Sequence, residues 1–192
     1  MSIVLDGTTG INTSGTLVAT GSLTTSSSLT TGTGAIYNGL QASTAVASTS
    51  GTSIDFTSIP SWVKRITIMF SGVSTSGSSN YQVQVGSTTI QTTGYSSRVF
   101  RDATAAATAT SGFLLTATIG ATSLNGGIIT LTNISGNLWS FTSILADIVG
   151  GNSNYAGGYM TSALSGTLDR VRITTVNGTD TFDAGSINIL YE

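Results

Sequence analysis

Lys64-Arg-Ile-Thr-Ile-Met-Phe70 alternates without a break: Ile66, Ile68 and Phe70 fall on one side of an extended chain, Arg65, Thr67 and Met69 on the other. A period of two marks a strand with a buried front and a wet or interfacial back. The same pattern recurs downstream. Val171 and Ile173 alternate with Arg170, Arg172 and Thr174, and Ile187, Ile189 and Tyr191 alternate with Asn188 and Leu190. Short runs at residues 53–56, 63–70, 81–85, 112–119, 127–134, 138–148, 159–164, 171–176 and 186–191 are separated by Gly, Asn and Ser clusters. So many short strands with turn signals predict an all-β domain, a two-sheet antiparallel β-sandwich of jelly-roll-like form. Asn177-Gly178 is a strong turn signal, so the strands flanking it are expected to pair as a hairpin. Residues 98–109 read as a longer connection, in which Thr104, Thr108 and Thr110 argue against a helix.

Ahead of this domain the pattern changes. Leu5, Ile11, Leu17, Leu23, Leu29 and Ala35 fall at a constant spacing of six. At 100° per residue that step scatters side chains over three helical faces, whereas in a strand six is a multiple of two and all can return to one side. Burying six such side chains contributes on the order of 10 to 15 kcal/mol. Ordering about 35 backbone residues costs about 1 to 2 kcal/mol each. Hydrogen bonds narrow the gap, but an isolated chain also leaves unpaired strand edges, so the segment is expected to form a β stalk only with partner chains. Residues 41–51 lose the period and read as a linker, which predicts a stalk over 1–45 and a sandwich over 46–192.

Composition narrows the function classes. Charged residues are only 7% of the 192-residue chain, against about 25% in ordinary soluble domains, while Ser and Thr make up a third. With hydrophobic residues at 39% and a net charge of -2, the chain is expected to fold. No apolar run approaches the roughly 18 residues that span a bilayer, so membrane insertion is not expected. Six Lys plus Arg with no sizeable basic cluster argue against nucleic acid. Zero Cys and zero His remove disulfides, thiol and His-dependent nucleophiles and most transition-metal sites. The amino terminus has neither a basic n-region nor a long apolar h-region, so no signal peptide is expected.

Few groups remain to carry chemistry. A glycosidase needs two converging carboxylates; Asp180, Asp183, Asp147, Asp169 and Asp102 are the domain's candidates besides Asp55 and Glu192, and of these Asp169 and Asp180 look like strand-end and turn residues. No catalytic residue, metal ligand or cofactor is assigned. The stretch GGNSNYAGG, residues 150–158, lacks the Lys-Ser/Thr of a phosphate-binding loop and reads as a connecting loop. Its alternative is receptor or glycan contact, with Tyr155 and Tyr159 stacking on pyranose faces while Asn152 and Asn154 bond hydroxyls. Trp62 and Trp139 are expected in core or subunit packing.

The residues also suggest a family. IPSWVKRITIMF (59–70), GVSTSG (72–77) and NYQVQVG (80–86), with LDRVRIT (168–174) and FDAGSINILY (182–191), resemble a domain recurring in tailed-phage virion proteins, many labelled tail fibre. VLDGTTGI (4–11) is similar to the start of such proteins. The resemblance implies a non-enzymatic structural protein of the virion, made in the host cytoplasm and released by lysis. By analogy with phage fibres it implies a homotrimer with the repeat on its axis, bound to other virion proteins and presenting the sandwich to a host-surface glycan. A capsid decoration or head-fibre protein is the alternative, and a bacterial surface adhesin the third reading.

Overall fold

The computed structural model describes residues 29–30, 36–37, 39–102 and 105–192. The chain divides into two compact units, Met1–Asn38 and Gly39–Glu192. In the first, β1 (Leu29–Thr30) pairs antiparallel with β2 (Ile36–Tyr37), Leu29 standing opposite Tyr37. Leu5, Ile11, Leu17, Leu23 and Ala35 of the six-residue repeat lie outside the described residues.

The second unit is all-β, with no helix among the described residues. Its strands are β3 (Gln41–Ala42), β4 (Val46–Ala47), β5 (Ser53–Thr57), β6 (Arg65–Thr75), β7 (Tyr81–Ser87), β8 (Thr89–Ile90) and β9 (Tyr95–Arg101). They continue with β10 (Ala105–Ala109), β11 (Phe113–Leu114), β12 (Asn125–Ser135), β13 (Leu138–Asp147), β14 (Asn152–Met160), β15 (Arg170–Thr175) and β16 (Phe182–Tyr191). The larger sheet runs β10-β9-β14-β13-β12-β6-β16-β3, with β4 also on β16; the smaller runs β11-β7-β15-β5, with β8 on β7. Every pairing is antiparallel.

The two sheets share one core, as in a sandwich. Ile66, Ile68 and Phe70 of β6 are buried, as the alternation predicts, beside Ile129 and Leu131 of β12 and Ile187 and Ile189 of β16. The smaller sheet contributes Tyr81, Val83, Val85, Val171 and Ile173. Phe113 joins the sheets: its ring lies edge-on to Tyr95 at 4.9 Å and stacks on Phe141 at 4.6 Å. Trp139 is buried in this core, and half-buried Trp62 packs 5.9 Å from the Tyr191 ring.

Five local readings need correction. Residues 41–51 are not a plain linker, because β3 and β4 lie along β16, two residues apiece, and Ser43 and Ser48 add backbone bonds to Ile189 and Gly185. The Asn177-Gly178 turn does not close a hairpin. It carries the chain from the small sheet to the large one, since β15 pairs with β5 and β7 while β16 pairs with β6. The Asn177 side chain sets that course: its carbonyl accepts from the Thr179 N–H and the Thr175 hydroxyl, and its amide donates to Asp180. Residues 98–109 hold the end of β9 and all of β10 in place of a long connection, and of residues 112–119 only Phe113–Leu114 is strand. Finally, residues 150–158 are not a loop, because nearly all of them belong to β14, which pairs on both sides, with β13 and β9.

Glycine has a positional reason at the bulge of β16. The register against β6 slips on either side of Ala184, and Gly185 there has φ of 87°, where a Cβ would lie 2.4 Å from the Gly72 carbonyl oxygen.

Candidate functional site

Strand parity decides what the large sheet shows to solvent. With Tyr95, Ser97 and Val99 of β9 turned inward, Ser96, Arg98 and Phe100 face out. On β14 the inward positions include Asn154 and Met160, and the outward ones Tyr155, Gly157 and Tyr159. On β13 and β12, Ile144 and Ile128 point outward. Register places these in one line: Ala106 opposite Phe100, Phe100 opposite Tyr155, Tyr155 opposite Ile144, Ile144 opposite Ile128, and Ile128 opposite Met69. At about 4.8 Å per strand the line crosses about 24 Å of sheet. Its members are not hidden: Phe100, Ile128, Ile144 and Tyr155 are each between 42% and 56% exposed.

The next line, Thr108, Arg98, Gly157, Thr142, Thr130 and Thr67, is polar and small. The outward strand positions from β10 to β6 carry no carboxylate. Among the described residues Arg65, Arg170 and Arg172 are ion-paired with Glu192, Asp169 and Asp55, whereas Arg98 has no carboxylate within pairing distance. Its guanidinium lies 4.7 Å from the centre of the Phe100 ring instead.

Of the four residues nominated for glycan contact, the structure brings Tyr155 and Tyr159 together on this open face. Asn154 is turned inward, where its carbonyl oxygen accepts the Ala117 N–H at 3.0 Å, so it is a structural residue. Asn152 donates to the Gly150 carbonyl at 2.7 Å and caps the β13–β14 turn. Arg98, Phe100 and Gly157 were missed by the sequence reading. The signal that would have found them is the period-two phase of Ser96, Arg98 and Phe100, obscured because inward Ser97 is polar and outward Phe100 is not.

Most carboxylates among the described residues are engaged elsewhere. Besides the ion-paired residues, Asp180 accepts from Ser79 N–H and Asp102 from Ser153 N–H. Asp169 is held below the usual carboxylate range first by its hydrogen bond from Arg170. Asp147 is buried, which by itself raises its pKa, but the Gly150, Val149 and Leu124 N–H groups and the Ser123 hydroxyl outweigh burial and hold it below the ordinary value. Among the described residues no cluster of three or more acidic, His or Cys side chains forms a metal site.

Asp147 therefore carries a prediction. A depressed folded pKa adds stability that is present above the unfolded value near 4 and is lost as pH falls through the folded value. Asp147→Asn is expected to cost about 1–3 kcal/mol at neutral pH and to flatten the stability profile below about pH 4. Urea titrations at several pH values check it, and an unchanged acid limb would show that the carboxylate is not the sensor.

No family model, no curated protein and no solved structure matches this chain.

Proposed function

We propose that this chain is a non-enzymatic structural protein of a bacteriophage virion, a homotrimeric fibre or tail-fibre component that attaches the particle to its host. In this reading the N-terminal repeat is the β stalk, other virion proteins hold it, and a jelly-roll-like sandwich is displayed outward. The observation that carries the reading is the apolar line from Met69 to Phe100 across a face whose outward strand positions, from β10 to β6, carry no carboxylate. Contiguous apolar surface of this kind is what an assembled subunit needs and what a freely dispersed monomer avoids. Such a contact is centred on Ile128 and Ile144 of β12 and β13, and it leaves the β10 edge of the face open. The engagement of most described carboxylates in ion pairs and N–H bonds supports a binding role over hydrolysis.

Light scattering of the intact protein at micromolar concentration is expected to give three times the 19.4 kDa chain mass. A monomer would overturn the trimer. Because Ile128 and Ile144 stand directly opposite each other, replacing both with Glu puts two like charges in the middle of the line. The double variant is expected to shift the dissociation midpoint at least about tenfold toward monomer, with its strand circular dichroism intact. Immunogold labelling of intact particles locates the protein: label at the tail supports the fibre, and label over the shell replaces it with capsid decoration.

A further inference from the structure

On the β10 side of the outer face lies an open depression of about 310 Å³. It is lined by Ser96, Arg98, Thr108, Gly157 and Tyr159, among others. That volume is at the small end of ligand sites. Its lining differs in chemistry: it combines the half-exposed Tyr159 ring, the hydroxyl-bearing Ser96 and Thr108, and Arg98, which among the described residues has no carboxylate within pairing distance.

The floor is made by two glycines with different reasons for being glycine. At Gly158 the fold demands it, since a Cβ would lie 2.2 Å from the Ser96 carbonyl oxygen and 3.0 Å from the Phe141 ring. At Gly157 it does not: a Cβ there would find its nearest neighbour, the Phe141 carbonyl oxygen, at an ordinary 3.7 Å, and no positive φ is involved. A glycine in a strand interior costs stability relative to a β-branched residue. Gly157 pays that cost without a packing return, and what its missing side chain leaves is the open floor between Arg98 and Tyr159, with Arg98 directly opposite it in register.

We propose that this depression is a subsite for a carboxylate-bearing pyranose. The sugar lies over Gly157 with its apolar face on Tyr159, its hydroxyls on Ser96 and Thr108, and its carboxylate on Arg98. Arginine suits that anion because its planar fork matches a carboxylate two-to-two, and the Phe100 ring supports the guanidinium plane from the next outward position. Asn152 and Asn154 take no part. The proposal rests on the host-attachment reading, and it names what that attachment recognises.

Ligand-observed NMR on the full-length protein tests it with three probes: methyl glucuronoside, methyl sialoside and neutral methyl glucoside. Binding of either acid, about tenfold or more tighter than the glucoside, is expected, and which acid binds identifies a uronate-bearing or a sialylated source. Arg98→Gln is expected to erase the preference for acid, and Tyr159→Ala to weaken every probe. Gly157→Val is expected to block all binding while leaving the oligomer mass unchanged and the thermal midpoint the same or higher. Failure of both acids to bind, equal binding of acid and neutral sugars, or full binding by a folded Gly157→Val protein would overturn the subsite. Host adsorption separates the two levels. Particles carrying Gly157→Val that adsorb normally defeat the subsite alone, whereas particles lacking the whole protein that adsorb normally defeat the attachment reading.

Discussion

Phe113→Ala is expected to destabilise the sandwich by about 3–5 kcal/mol, the range for removing a buried aromatic ring. Phe113 is fully buried on two-residue β11, a strand too short to hold its place by hydrogen bonds alone. Its ring lies 4.9 Å from Tyr95 on β9 and 4.6 Å from Phe141 on β13, so truncation opens a cavity between the sheets and strips two aromatic partners at once. Natural domains have about 5–15 kcal/mol to lose, and at this chain length each kcal/mol moves the melting midpoint by about 2–4 °C. A fall on the order of 10 °C or more by circular dichroism is therefore expected. Phe100→Ala is the matched control: the same residue type on the outer face is expected to stay within about 1 kcal/mol. Equal effects from the two would show that the core is not organised around Phe113.

Alkaline pH is expected to be the second large lever. Burial pushes the phenols of Tyr81 and Tyr95 up to about 12, because neither can release its proton into an apolar interior. The Tyr95 hydroxyl donates to the Gln91 carbonyl at 2.9 Å and accepts the Val85 N–H at 3.0 Å. A pKa raised on folding means the unfolded chain ionises first, near 10, so stability is intact below that pH and is lost as pH climbs toward 12. At about 1.4 kcal/mol per pH unit and per group, the two phenols together remove on the order of 5 kcal/mol over that interval. Cooperative unfolding accompanied by tyrosinate absorbance is expected between pH 10 and 12. Tyr95→Phe is expected to halve the slope there while costing about 1–3 kcal/mol at neutral pH, since the Val85 N–H loses its acceptor. Stability independent of pH over that range would contradict burial of the two rings.

The strands that announced themselves in the sequence are those whose two faces differ in chemistry. Ile66, Ile68 and Phe70 against Arg65 and Thr67, or Val171 and Ile173 against Arg170 and Arg172, leave no ambiguity of period. β9 and β14 stayed hidden because their faces do not separate by polarity. β9 buries Ser97, whose hydroxyl donates to the Gly112 carbonyl, and exposes Phe100; β14 is rich in Asn and Gly and is held by strands on both sides. The same oversight shaped the site. As a loop, residues 150–158 let Asn154 and Tyr155 act together, whereas as a strand they are neighbours of opposite parity and face opposite ways. The Asn177-Gly178 turn was visible as a turn, but which strands it joins depends on pairings with residues more than a hundred positions away. No local signal contains that.

β3 and β4 have a mechanical meaning. They are the first strands of the second unit, and each holds β16 through two residues, reinforced by Ser43 and by the Ser48 hydroxyl on the Ala184 carbonyl. Tension arriving along the chain at Gly39 falls on these short pairings before it reaches β16 itself, which is locked along β6 from Phe182 to Tyr191. Peeling residues 39–48 away would pay out about 30 Å of chain at about 3.3 Å per residue. The core would remain closed while the tether lengthened, so the sandwich has a compliant lead that absorbs a pull without unfolding what it carries.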